Sequence, residues 1–183
     1  MGANELTTLT RDCEVALIPA GTIVTLPAGT QVVITQSLGG SYTVYAGGSL
    51  ARVDGKDADA LGKESVAAAP QAKAVTGDGT VDEERLWEQM RTCYDPEIPI
   101  NIVELGLIYD CKVVPLEDRG NRVDVKMTLT APGCGMGEFL KQDVEHKLAA
   151  VPNVTELDVE MVFEPPWDQS RMSEAAKLQA GLL

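Results

Sequence analysis

Histidine, aromatic residues and clustered positive charge are what this sequence has least of. Its 183 residues include one histidine, His146, which excludes a HExxH zinc site and any other centre needing two imidazoles from one chain. Aromatic residues make up 4% of the chain, and lysine and arginine number 15 against 28 aspartates and glutamates, for a net charge of −13. No basic run exists to release counterions from a phosphate backbone, so nucleic acid is excluded as a partner, and an anionic membrane surface would repel the chain. No apolar stretch approaches the ~20 residues of a spanning helix. The opening residues, Met1 to Leu6, lack the basic and apolar segments of a secretory leader, and Leu6 stands where a myristoylation motif wants Ser or Thr. A cytoplasmic protein is expected, in which the sequon Asn153-Val154-Thr155 is a coincidence.

Paired cysteines are also missing. Cys13, Cys93, Cys111 and Cys134 are spaced too widely for the CxxC frameworks of zinc ribbons or thioredoxin-like sites, and a reducing compartment keeps them as free thiols. What remains is ordinary globular composition, 44% hydrophobic and 23% charged, in a length that suits one or two domains with their own cores.

The chain changes character along its length. Residues 1 to about 55 read as all-β: Pro19-Ala20-Gly21 and Pro27-Ala28-Gly29 are turns that each lead into a β-branched run, and Gly39-Gly40-Ser41 joins two further strands as a hairpin loop. A small barrel or sandwich is the expectation, with Cys13 ahead of the first strand. From Asp54 the residues turn small and polar, and 62–79 is read as a linker. The second half reads α-β-β-α-β-α. Asp82 caps a helix carrying Leu86, Met90 and Cys93. Alternating Leu107, Tyr109, Cys111, Val113 and Val123, Val125, Met127, Leu129 form an antiparallel hairpin. A helix over 138–150 precedes a strand with Leu157, Val159, Met161 and Phe163 that Pro165-Pro166-Trp167 stops, and Ser170 or Ser173 caps a terminal helix. The fold class is therefore α+β: an all-β domain over 1–61, the linker, and an α+β domain over 80–183.

Two segments can carry chemistry. Thr130-Ala131-Pro132-Gly133-Cys134-Gly135-Met136-Gly137 joins a strand end to a helix start, and its glycines strip side chains from around Cys134, leaving the sulfur approachable. A helix N-terminus favours a thiolate there, although the same composition fits a tight turn around a small buried cysteine. Cys93 and Cys111 fall on apolar faces, and the thiolate of Cys13 is disfavoured by Asp12 and Glu14. In Asp95-Pro96-Glu97-Ile98-Pro99, two carboxylates on a double-proline turn can face a cation or tune a thiol, or can merely end a helix. Both are expected to be exposed and to support the thiol rather than the fold. His146 cannot serve Cys134 as a base within one chain, because the helix between them spans about 18 Å.

Asp95-Pro96-Glu97-Ile98-Pro99, Glu104-Leu105-Gly106-Leu107-Ile108-Tyr109, Thr130-Ala131-Pro132-Gly133-Cys134-Gly135-Met136 and Pro165-Pro166-Trp167, in that order, resemble the iron-sulfur maturation domain shared by bacterial SufT, the phenylacetate-pathway protein PaaD and the eukaryotic cytosolic iron-sulfur targeting factor. The resemblance covers about 82–183. Residues 33–43 and 54–63 resemble the N-terminal extension carried by the SufT branch. Many relatives have Cys-Pro where this chain has Cys134-Gly135, which implies a more mobile loop here.

The resemblance implies a non-enzymatic factor of the SUF type that helps deliver iron-sulfur clusters to client apoproteins. Cys134 is the functional thiol and a transient ligand to iron or a cluster, and Asp95, Glu97 and Thr130 support it. One such cysteine cannot close a four-ligand site, so the cluster would be shared across a homodimer, completed by a small thiol, or held only during transfer. The expected partners are the assembly machinery and its clients. The alternatives are an adaptor that links clients to the scaffold with Cys134 structural, and a thiol-based enzyme.

Overall fold

The computed structural model describes residues 4–64, 79–95, 97–117, 120–131, 133 and 135–182. By chain contacts it divides into two compact units. Most of the expected linker, 65–78, lies outside the described residues.

The N-terminal unit is built on strands β1 (Glu5–Thr8), β2 (Cys13–Ile18), β3 (Ile23–Leu26), β4 (Gln31–Leu38), β5 (Ser41–Ala46) and β6 (Ser49–Val53). They form one sheet in the order β1-β4-β5-β6-β2-β3, antiparallel throughout. Gly39 and Gly40, with φ of 61° and 82°, make the β4–β5 turn whose positive angles suit the right-handed twist of a hairpin. In place of the expected barrel or sandwich, a 3-10 helix over Gly55–Leu61 completes the core, where Ala60 and Leu61 join Val15, Val32, Val44 and Val53. Asp54 caps this helix through the Lys56 N–H at 3.0 Å, and the Arg11 guanidinium spans Asp57 and Asp59 at 2.8 and 2.7 Å.

The second unit contains α1 (Glu83–Met90), β7 (Ile108–Pro115), β8 (Asn121–Met127), α2 (Gly137–Ala149), β9 (Val154–Met161) and α3 (Glu174–Gln179). Asp82 caps α1 through the Glu84 N–H, and Ser173 caps α3 through the Ala176 N–H. β7 and β8 pair antiparallel as expected, and the α2 crossover returns β9 parallel to β8. One sheet face supplies Val123, Val125, Met127 and Val159 to the core, with Leu86, Met90, Leu140, Val144 and Leu148 from the helices. The opposite face is a lattice of charge in which Lys112 meets Asp110 at 2.6 Å, Arg122 meets Asp124 at 2.7 Å and Lys126 meets Glu160 at 3.6 Å. A sheet with one solvated face needs such a surface.

Where the chain enters this unit, Asn121 donates to the carbonyls of Gly79 and Asn153 at 2.8 and 3.0 Å. Asn153 in turn donates to Thr80 at 2.6 Å from a left-handed backbone with φ of 69°. The sequon asparagine is thus buried and its amide is engaged by the chain itself.

Candidate functional site

The double-proline segment is held at its base by backbone pairing. Past the end of α1, the Ile102 N–H donates to the Cys93 carbonyl at 3.0 Å, and the Asp95 N–H donates to the Ile100 carbonyl at 3.2 Å. Tyr94 bridges Asn101 between them. This fixes Asp95, whose side chain is turned inward and 3% exposed, whereas Glu97 at the tip is exposed. The expectation of two exposed carboxylates therefore holds for Glu97 and fails for Asp95.

Thr130 lies just beyond β8, whose exit is fixed by the Thr128 N–H donating to Leu107 at 2.9 Å. The Thr130 hydroxyl donates to the Asp95 carboxylate at 3.3 Å. Two of the sequence-predicted site residues are thereby brought together across a long stretch of chain. Cys134, with Pro132, lies outside the described residues. On either side of it, Gly133 is exposed with φ of 79° and Gly135 is exposed, while Met136 is buried. Gly137 has a role that composition did not reveal. It is buried, and a Cβ there would lie 2.6 Å from Leu129 Cδ1, so this glycine lets the first turn of α2 approach the core.

Cys13 and Cys111 are held as thiols, and Cys93 is buried. Cys13 is the first residue of β2 rather than a residue ahead of the sheet, and it is buried; desolvation, more than its acidic neighbours, raises its pKa. Cys111 on β7 is pushed up to about 11, mainly by desolvation and secondarily by Glu83 and Asp110. Cys93 is fully buried, with its sulfur 3.8 Å from the Gln89 carbonyl. Among the described residues, no three His, Cys, Asp or Glu side chains gather closely enough to hold a metal ion.

The two remaining motifs grip each other. Trp167 Nε1 donates to the Leu105 carbonyl and the Tyr109 hydroxyl donates to the Pro165 carbonyl, each at 2.7 Å. Arg171 stacks over the Tyr109 ring at 4.3 Å from its centroid. The Ser173 hydroxyl bonds the Glu104 carboxylate, and the Ser173 N–H donates to the Glu104 carbonyl at 2.9 Å. Gly106, with φ of 70°, accepts an approach so close that a Cβ would lie 2.3 Å from the Arg171 carbonyl oxygen. These residues fasten the C-terminal segment over the turn preceding β7, a role that spacing alone does not disclose.

Comparison with known proteins gives the family of the chain. Residues 83–159 match the family described as "Iron-sulfur cluster assembly protein". A Porphyromonas gingivalis protein described as "Fe-S protein maturation auxiliary factor" is 43% identical over 101 residues, covering 55% of this chain and 92% of the relative. The "Fe-S protein maturation auxiliary factor SufT" of Staphylococcus aureus is 41% identical over 88 residues, covering 48% of this chain and 96% of the relative. Among solved structures, a domain of unknown function (DUF59) from Bacillus anthracis is 37% identical, with a TM-score of 0.48 over 55% of this chain and 92% of that one. Sharing the family's sequence pattern, and spanning these relatives almost end to end, the chain belongs to the iron-sulfur cluster assembly protein family.

Proposed function

We propose that the chain passes iron-sulfur clusters to client apoproteins, with the Cys134 thiolate as the transient ligand and Asp95, Glu97 and Thr130 as its supporting groups. The descriptions of the relatives, maturation auxiliary factors, give the class of work. The observation that carries the assignment of residues is the hydrogen bond from Thr130 to the buried Asp95 carboxylate, which ties the double-proline segment to the chain leading to Cys134.

The cluster is cargo in this reading. A soft thiolate suits iron, and one thiolate per chain leaves coordination to be completed by a second copy, a small thiol or the client, which keeps the cluster exchangeable. Desolvation holds Cys13 and Cys111 protonated and burial removes Cys93, so none of the three competes well for iron at neutral pH. The role is that of a handler, with no bond made or broken in a substrate.

Single Cys→Ser variants at positions 13, 93, 111 and 134 test the assignment by client maturation in cells and anaerobic cluster uptake in vitro. Cys134→Ser loses both while Cys111→Ser keeps both. If Cys134→Ser matches the parent in both assays, the chain is an adaptor that joins clients to the scaffold without touching the cluster.

A further inference from the structure

Among the described residues, strand β9 is paired on one side, with β8. The Val162 N–H donates to the Met127 carbonyl at 2.8 Å, so the alternation of a parallel ladder directs the backbone groups of Glu156, Asp158 and Glu160 toward β8 and those of Leu157 and Val159 toward the open edge. Among the described residues no strand pairs with that edge. Alongside it, between α2 and β9, runs a groove of about 560 Å³ lined by Ala149, Val154 and Leu157 together with the polar Gln142, Glu145, His146 and Thr155.

A strand added here would have two different faces. On the helix side its side chains would enter the groove against Leu157 and Ala149. On the solvent side they would stand beside Glu156, Asp158 and Glu160, all exposed. The charge lattice on that face is uneven: its three cations, Lys112, Arg122 and Lys126, lie on β7 and β8, Glu160 of β9 meets Lys126, and Glu156 and Asp158 of β9 share the field of Arg122, which is already paired with Asp124.

We propose that this edge and groove receive an extended segment of a partner protein in which apolar and basic side chains alternate, joined to the sheet as a fourth strand. Backbone pairing to Leu157 and Val159 supplies affinity. Apolar residues in the groove and cations beside Glu156 and Asp158 supply register. A second copy of this chain does not fit, because like edges would set three carboxylates against three. Acidic side chains alone would suffice to keep the edge from aggregating; a groove beside them, with Ala149, Val154 and Leu157 in its wall, adds a place for apolar side chains to go.

The test uses the isotopically labelled full chain, without iron, and two peptides of equal length, one alternating valine with lysine and the other valine with glutamate. It is independent of Cys134. The valine-lysine peptide shifts amide resonances over 142–149 and 155–161, and its affinity falls at least tenfold in the Glu156→Lys, Asp158→Lys double variant, whose melting temperature stays that of the parent. The same variant gains affinity for the valine-glutamate peptide. In the parent chain, raising salt from 0.05 to 0.5 M weakens the valine-lysine complex about tenfold or more, a second readout that needs no substitution. Equal binding of both peptides, shifts confined to other elements, no binding at millimolar peptide, or a dimer that the double variant disperses would each overturn the proposal.

Discussion

Asp95 and Glu97 sit in one five-residue motif, and replacing them has unequal consequences for stability: a clear loss at Asp95 and almost none at Glu97. Asp95 is 3% exposed and accepts the Thr130 hydroxyl, so Asp95→Ala removes a charge-assisted hydrogen bond, strands a hydroxyl near the core and leaves a small void. Hydrogen bonds to charged groups contribute roughly 1.5–3 kcal/mol, which sets the expected loss at about 2 kcal/mol. For a unit of about 100 residues that is a fall of roughly 10 °C in Tm. Glu97 is exposed, and Glu97→Gln should stay within about 0.5 kcal/mol of the parent. Both tryptophans, Trp87 and Trp167, belong to the second unit, so urea titration followed by tryptophan fluorescence reports on that unit. Equal effects from the two substitutions, or an Asp95→Ala variant within 0.5 kcal/mol of the parent, would show that the Asp95 carboxylate does not hold the turn.

Two further outcomes can be measured the same way. Cys111 is more than half buried and its pKa is raised to about 11, so the folded chain keeps a proton that the unfolded chain loses near pH 9; stability falls as pH rises from about 9 to 11, by about 2–3 kcal/mol, and Cys111→Ala removes that part of the slope while leaving the curve below pH 8 unchanged in shape. Gly106→Ala places a Cβ 2.3 Å from the Arg171 carbonyl at a left-handed backbone position, which should cost about 3 kcal/mol and shift the emission of Trp167, whose indole bonds to Leu105; an unchanged midpoint would mean that the C-terminal segment yields freely.

Elements whose ends are marked by local chemistry could be read directly. The Asp82 and Ser173 caps, the Gly39-Gly40 turn and the alternation through Val123, Val125 and Met127 each state their structure within a few residues. What escaped depends on distant partners. The segment 55–61 looks too small and polar to bury anything, yet Ala58, Ala60 and Leu61 are buried, and Ala60 and Leu61 join the core formed by residues of the sheet. The parallel return of β9 is set by the crossover through α2 and carries no local mark. In the candidate site, the pairing of Asp95 with Thr130 was foreshadowed only by their presence in two motifs. The burial that separates Asp95 from Glu97 accompanies tertiary bonds, from its backbone N–H to Ile100 and from Thr130 to its carboxylate, which no spacing rule reveals. Trp167 and Tyr109 read as motif residues; their work is to hold carbonyl oxygens of each other's segments.

The two asparagines at the mouth of β8 and β9 also decide how this unit carries load. A pull on the chain ahead of Gly79 reaches the amides of Asn121 and Asn153 before it reaches α1. Both are rooted at the start of strands that lie side by side, so tension passes into the ladder between β8 and β9, where many hydrogen bonds must shear together, rather than peeling a helix away one turn at a time. Tension from whatever precedes Gly79 is therefore met by these two amides before it reaches α1, and the Asp95 turn lies beyond α1 in the chain.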